Sequence, residues 1–369
     1  MIAPKNLIIG NLCKNLSDSV INADAKSVAV IGTKNRLNSA KILSSLAYLE
    51  EKIGHAEKFV IPCGEPKDIV LQEMAKNIGT DVIIAIGGGS TIDSAKIIGV
   101  LSLGKQNISE ITGVNLVLDS KPVIVVPTVS GSGSEATHIA VYHKTESNEK
   151  SAIVSPKITP LTVIIDKTIL TTVPKNIAAY SGMDALSHAF ESYVSLNANS
   201  FTKCISLSAL RNIIKNLEKS VNANDAEARE ELAISSFLAG VADANAGVGV
   251  THALSYPIES ACKIPHGLSI ATLMPYALEH KLYGNYEVSC SSDFIKSEQI
   301  IKTLGNFIKN FGLPKSLQEL GVQKSQIKDF SQKAICLERL LKNNPKISVE
   351  QIEKAYLCAY EGKWKYSAI

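Results

Sequence analysis

No charge of one sign dominates this chain: 38 Lys and Arg stand against 35 Asp and Glu, a formal net charge of +3 over 369 residues. So small an imbalance does not call for a polyanion, and nucleic acid is left out of the expected partners. The cations are interspersed with acids rather than gathered in blocks, the usual pattern of a solvated surface. No Cys-x-x-Cys pair occurs among the seven scattered cysteines (Cys13, Cys63, Cys204, Cys262, Cys290, Cys336 and Cys358). That absence argues against a disulfide framework or a zinc knuckle and fits a reducing, cytoplasmic setting. No apolar run approaches the roughly 18 residues that would span a bilayer. The opening MIAPKNLIIGN lacks a basic stretch followed by a long apolar one, so neither membrane nor signal peptide is expected.

What is present is a globular composition, 45% hydrophobic and 20% charged, in a chain too long for one compact core. The first part alternates short β-branched runs, at residues 28–31, 82–86, 123–126 and 163–165, with stretches such as 39–53 and 68–77 that suit crossover helices. Near-continuous apolar runs separated by helices predict a parallel sheet covered on both faces. After Pro174 the apolar spacing becomes i, i+3, i+4, and residues 177–195, 202–217, 226–242 and 297–311 read as helices with no convincing strand among them. The expectation is an α/β dinucleotide-binding domain over residues 1–172 and an all-helical metal-binding and substrate domain over 173–369. The cleft between such halves is the default ligand site.

Two glycine-bearing loops point to a nucleotide. Residues 83–96 read as strand, turn, then helix, with Gly87, Gly88, Gly89 and Ser90 at the turn and Asp93 and Lys96 beyond it. Glycines let the backbone approach an anion, and a helix N-terminus offers unpaired N–H groups at the positive end of its dipole. The bland alternative is a tight turn whose glycines serve geometry alone, and the run is not a Gly-x-Gly-x-x-Gly fingerprint. A second loop from Pro127 to Glu135, containing Thr128 and Ser132, follows the next apolar run and supplies further hydroxyl and backbone donors. Together the loops predict dinucleotide binding at one edge of the sheet. After residues 28–31 the chain reads Gly32-Thr33-Lys34-Asn35-Arg36, where an acid would bind the ribose hydroxyls of NAD(H). A hydroxyl and two cations there favour NADP(H) over NAD(H), though a polar surface loop would read the same way.

The metal expectation rests on four residues. Asp184 and His188 stand at i and i+4 on one helical face, continued by Glu191 and Ser195. Alone, that stripe reads more readily as a wet helix surface. His252 and His266, however, sit among small apolar residues poorly suited to a surface, and a lone histidine there is most often a hydrogen-bonded core residue. One carboxylate and three imidazoles on neighbouring helices would make a compact divalent site, suited to Fe2+ or Zn2+.

Taken together, these motifs resemble the iron-containing (group III) alcohol dehydrogenase family. The likeness runs over Gly87 to Lys96, Pro127 to Glu135, Asp184 to His188 and His252 to Gly267, and reaches Asn344-Pro345. It implies a Rossmann-like domain followed by a helical one, frequent homodimers and hydride transfer from NAD(P)H to a small aldehyde. It places Gly87, Gly88, Gly89 and Ser90 at the pyrophosphate and Thr128, Ser132 and Lys150 near the phosphates and nicotinamide ribose. It makes Asp184, His188, His252 and His266 the metal ligands, with Fe2+ favoured. Where the family carries a second histidine four residues after the third ligand, this chain has Tyr256. A phenol, with an ordinary pKa near ~10, donates a hydrogen bond but is a poor base at neutral pH. The Tyr256 variant is similar to a branch containing phosphonoacetaldehyde reductases, which implies a short aldehyde with an anionic group, phosphonoacetaldehyde or malonic semialdehyde. An uncharged alcohol or polyol dehydrogenase is the enzymatic alternative, and an inactive nucleotide- or metal-binding protein the alternative of another class.

Overall fold

The computed structural model describes residues 1–365 apart from 148, 285, 287, 291, 292 and 296. The chain divides into two units, Met1–Val173 and Pro174–Ile369.

The first unit is built on a six-stranded, wholly parallel sheet. Its strands are β1 (Asn6–Ile9), β2 (Val28–Thr33), β3 (Ala56–Ile61), β4 (Val82–Gly87), β6 (Val123–Pro127) and β9 (Thr162–Ile165), in the order β1-β9-β6-β4-β2-β3. The four interior strands are the four apolar runs of the sequence. Val28 to Ile31, Val82 to Ile86, Val123 to Val126 and Val163 to Ile165 are almost wholly buried, as both faces of the sheet are covered. The edge strands β1 and β3 are mostly exposed: β1 has the short apolar run Leu7-Ile8-Ile9, and in β3 Glu57 and Lys58 interrupt the apolar residues. A second sheet of three strands, β5 (Gly113–Val114), β8 (Lys150–Val154) and β7 (Ile139–His143), accompanies it. From β2 the chain steps outward to β3, then returns across β2 to β4 and on to β6. The connections therefore reverse direction between β2 and β4, and ligands of open α/β sheets bind beyond the carboxyl ends of strands at such a switch.

The second unit is dominated by helices, among them Lys175–Val194, Ser200–Glu218, Ala226–Ala246, Val250–Cys262, His266–Glu279 and Ser297–Phe311. One correction to the all-helical expectation is a two-stranded antiparallel ladder, Val288–Cys290 with Asp293–Ile295. Three residues per strand are too short for an alternating pattern to register in sequence. The Lys175–Val194 helix is buried all round, Ser181 to Tyr193 without interruption, so its Asp184–His188 stripe is interior rather than solvated. The Ala226–Ala246 and Val250–Cys262 helices meet at 101° across Gly247-Val248-Gly249. Among the described residues no single helix is long and apolar enough to cross a membrane.

Candidate metal centre and dinucleotide loops

The carboxyl ends of β2, β4 and β6 bring three sequence-predicted segments to one edge of the first unit. Gly87 closes β4 and pairs in register with Pro127 of β6. The Gly89–Leu101 helix begins directly behind, with Gly88 at its N-cap and no side chain capping it. Its first turn is thus free for an anion, and Gly88, Gly89 and Ser90 are half-exposed there. A Cβ on Gly89 would lie 2.7 Å from Ser132 Oγ, so the two loops touch only because that residue is glycine. Thr128, buried, donates its backbone N–H to Gly87 O at 3.0 Å.

The remaining predicted cofactor residues have other partners. Gly32 is buried, and a Cβ there would meet Leu37 Cδ2 at 2.8 Å, so it serves the packing of the next turn; Thr33 ends the strand, half-exposed. Asp93 Oδ2 accepts the Val141 N–H of β7 at 3.0 Å. Burial pushes its carboxyl up to about 6, against the opposing pull of Lys96 and that hydrogen bond. Lys96, fully buried, donates to Thr137 O and Ile139 O at 2.9 and 2.8 Å and so ties the glycine helix to the end of the second loop. Lys150 Nζ pairs with Glu65 Oε1 at 2.7 Å, and His143 contacts the other oxygen of the same carboxylate.

In the second unit Asp184, His252 and His266 come from three helices, Lys175–Val194, Val250–Cys262 and His266–Glu279, and each offers one ligand atom within 4.8 Å of the others. Asp184 Oδ1 lies 3.8 Å from His252 Nε2 and 3.5 Å from His266 Nε2. His188 stands beside them, its Nδ1 3.7 Å from the same oxygen and its ring 4.7 Å from that of His252. Gly267 allows this convergence: a Cβ there would lie 2.6 Å from Tyr180 O, so only glycine lets the His266–Glu279 helix come so close to the Asp184 helix.

Asp184 Oδ1, His188 Nδ1 and His252 Nε2 are all buried with no hydrogen-bond partner. Each such orphan costs roughly 1–3 kcal/mol, and three around one point are hard to explain by packing. Burial, ahead of the opposing pull of Asp184, holds the His188 imidazole below its usual pKa, so its lone pair is available. A tetrahedral shell with bonds of ~2.1 Å spaces its ligands by about 3.4 Å, close to the separations found. The donor set fits a divalent metal.

Sequence reasoning missed the carboxylates behind the histidines. His252 Nδ1 meets Glu191 Oε2 at 2.5 Å, and His266 Nδ1 meets Glu259 Oε1 at 2.7 Å. Ligand histidines usually show this arrangement, the second ring nitrogen bound to a carboxylate so that Nε2 faces the metal.

Family comparison decides which proteins share these features. The model described as iron-containing alcohol dehydrogenase matches residues 4–167, and that of the family's C-terminal part matches residues 178–360. The chain belongs to the iron-containing alcohol dehydrogenase family. As a member it is an oxidoreductase acting on the CH–OH group. It is 30% identical over 372 residues to an NAD-dependent methanol dehydrogenase of Bacillus methanolicus, covering 95% of this chain and 96% of that one. It is 31% identical to a sulfoacetaldehyde reductase of Bilophila wadsworthia, covering 74% of each. Among solved structures it resembles a 1,3-propanediol oxidoreductase with TM-score 0.90 and 26% identity over 97% of this chain and 99% of that one. An iron-containing alcohol dehydrogenase of Thermococcus thioreducens follows at TM-score 0.87 and 27% identity, covering 98% and 100%. At the position where this chain departs from the family pattern, Tyr256 is half-buried, its ring 5.9 Å from that of His266. It packs on Val248, Ala253 and Leu340.

Proposed function

We propose that the protein reduces a short aldehyde bearing an anionic group, using NADPH and a metal, Fe2+ in preference to Zn2+, held by Asp184, His188, His252 and His266. The observation carrying this reading is the convergence of ligand atoms from Asp184, His252 and His266 within 4.8 Å of one another, those of Asp184 and His252 buried and unpartnered, with the Tyr256 ring 5.9 Å from that of His266. A bound divalent ion supplies Lewis-acid polarisation of the aldehyde oxygen. Gly87, Gly88, Gly89 and Ser90 hold the pyrophosphate at the uncapped helix start, with Thr128 and Ser132 on the adjoining loop and Lys150, Asp93, Gly32 and Thr33 at or behind the cofactor edge. A reduced nicotinamide held there would supply hydride to the carbonyl carbon, and one proton to the oxygen would complete the alcohol. The Tyr256 hydroxyl donates a hydrogen bond to that oxygen and relays the proton from water, in place of a histidine base.

Sulfoacetaldehyde, named for one relative, carries its anion on the carbon next to the carbonyl, the skeleton shared by phosphonoacetaldehyde and malonic semialdehyde. The methanol and propanediol relatives favour an uncharged substrate instead. Steady-state oxidation of NADPH with sulfoacetaldehyde, phosphonoacetaldehyde, malonic semialdehyde and propionaldehyde separates the two, and equal efficiency on charged and uncharged aldehydes sinks the anionic reading. For the cofactor, Lys34, the first residue after β2, favours the 2′-phosphate, whereas Arg36 donates to Thr172 Oγ1 and a relative is NAD-dependent. Lys34→Glu is expected to lower kcat/KM for NADPH while sparing NADH, and an unchanged ratio rejects the NADP preference. The protein is proposed to act in the cytoplasm as a homodimer, checked by light scattering of the purified chain.

A further inference from the structure

We propose that Glu191 is the positioning residue of the metal centre, fixing His252 so that its Nε2 lone pair faces Asp184; this rests on the metal reading above. The Glu191 side chain is fully buried, and four donors reach its two oxygens. Oε1 accepts from Thr251 N at 2.7 Å and Tyr283 OH at 2.8 Å; Oε2 accepts from Gly249 N at 3.1 Å and faces His252 Nδ1 at 2.5 Å. The Val250–Cys262 helix has no side-chain cap of its own, so this carboxylate from another helix caps it. One group therefore sets both where the helix starts and which ring nitrogen of its third residue keeps the proton.

Only a carboxylate meets all four demands. An ionised carboxyl accepts through both oxygens and donates through neither, so it draws the ring proton to Nδ1 and leaves Nε2 bare. Glutamine keeps the shape but presents an amide NH2 to two of the four donors. Facing Nδ1, that NH2 drives the proton to Nε2 and removes the ligand lone pair; facing Thr251, it breaks the cap that places His252.

The test uses Zn(II) and Fe(II) titration of the chelator-stripped full chain, wild type against Glu191→Gln and Tyr283→Phe. Wild type is expected to bind one ion per chain, and Glu191→Gln to bind it about 10–100-fold more weakly. Tyr283→Phe removes one hydrogen bond to the same carboxylate without touching Nδ1, so its affinity is expected to stay within about threefold of wild type even if it melts earlier. Failure of wild type to bind refutes the metal reading itself. Wild-type affinity in Glu191→Gln, or an equal loss in Tyr283→Phe, overturns the positioning role while leaving that reading intact. Should Glu191→Gln not fold, nitrogen-15 NMR of the wild-type apoprotein at mildly alkaline pH decides: His252 is expected as the Nδ1–H tautomer, and any other state overturns the inference.

Discussion

Asp93 and His266 show how differently two polar residues of these motifs behave. Asp93 sits in the glycine helix with its carboxyl raised to about 6 by burial. A raised acid stabilises the fold fully below its unfolded value near 3.8, and that contribution is lost as pH rises through about 6. Asp93→Asn keeps an acceptor for the Val141 N–H but cannot ionise. Its urea-derived stability relative to wild type is therefore expected to gain about 2 kcal/mol between pH 4 and pH 7, and a flat difference refutes the raised value. His266 is the most exposed of the proposed ligands, with 27% of its side chain accessible. Its loss disturbs packing least, so His266→Ala is expected to fold with a near-normal melting temperature when metal-free. Bound metal and reductase efficiency should each fall by at least about 100-fold, measured by metal analysis and NADPH oxidation. Retention of both removes His266 from the ligand set.

At the level of elements, the site depends on a break between two helices. Gly247-Val248-Gly249 turns the chain so that the Val250–Cys262 helix starts at the Glu191 carboxylate, and Asn344 closes over the turn. A Cβ on Gly249 would lie 2.0 Å from Asn344 Oδ1, and that side chain is itself buried with both amide atoms unpartnered. Gly249→Ala is expected to cost about 1–3 kcal/mol in urea unfolding and to weaken metal binding with it, because the N–H of the substituted residue itself donates to Glu191. The interior strands and the long helices were legible in sequence because burial on both faces of a sheet, or one side of a helix, writes a local pattern. β3 was not, since exposed edge residues such as Glu57 and Lys58 break its apolar run. The histidines and Asp184 stood out by spacing and setting. Glu191 did not, because its partner His252 lies 61 residues away and a glutamate continuing a polar stripe looks the same whether it faces water or an imidazole.

Across the whole molecule the two proposed sites fall in different units, the proposed dinucleotide loops within Met1–Val173 and the proposed metal ligands within Pro174–Ile369. Each ligand stabilises the native form, most directly in the segments that contact it, by an amount that grows with concentration over Kd. Hydrogen exchange can read that partition segment by segment. Zn(II) added to the stripped protein is expected to slow exchange around 181–193, 249–259 and 266–279, and to leave 83–101 and 123–137 near their metal-free rates. NADPH without metal should do the reverse, slowing the glycine helix and the second loop. Gly89→Ala sharpens the experiment. Its Cβ would push Ser132 away from the helix start, so protection by NADPH should require at least about tenfold more cofactor while protection by Zn(II) is unchanged. Metal-induced protection centred on the glycine loops would contradict the ligand assignment, and an unaltered cofactor response in Gly89→Ala would remove those loops from the dinucleotide site.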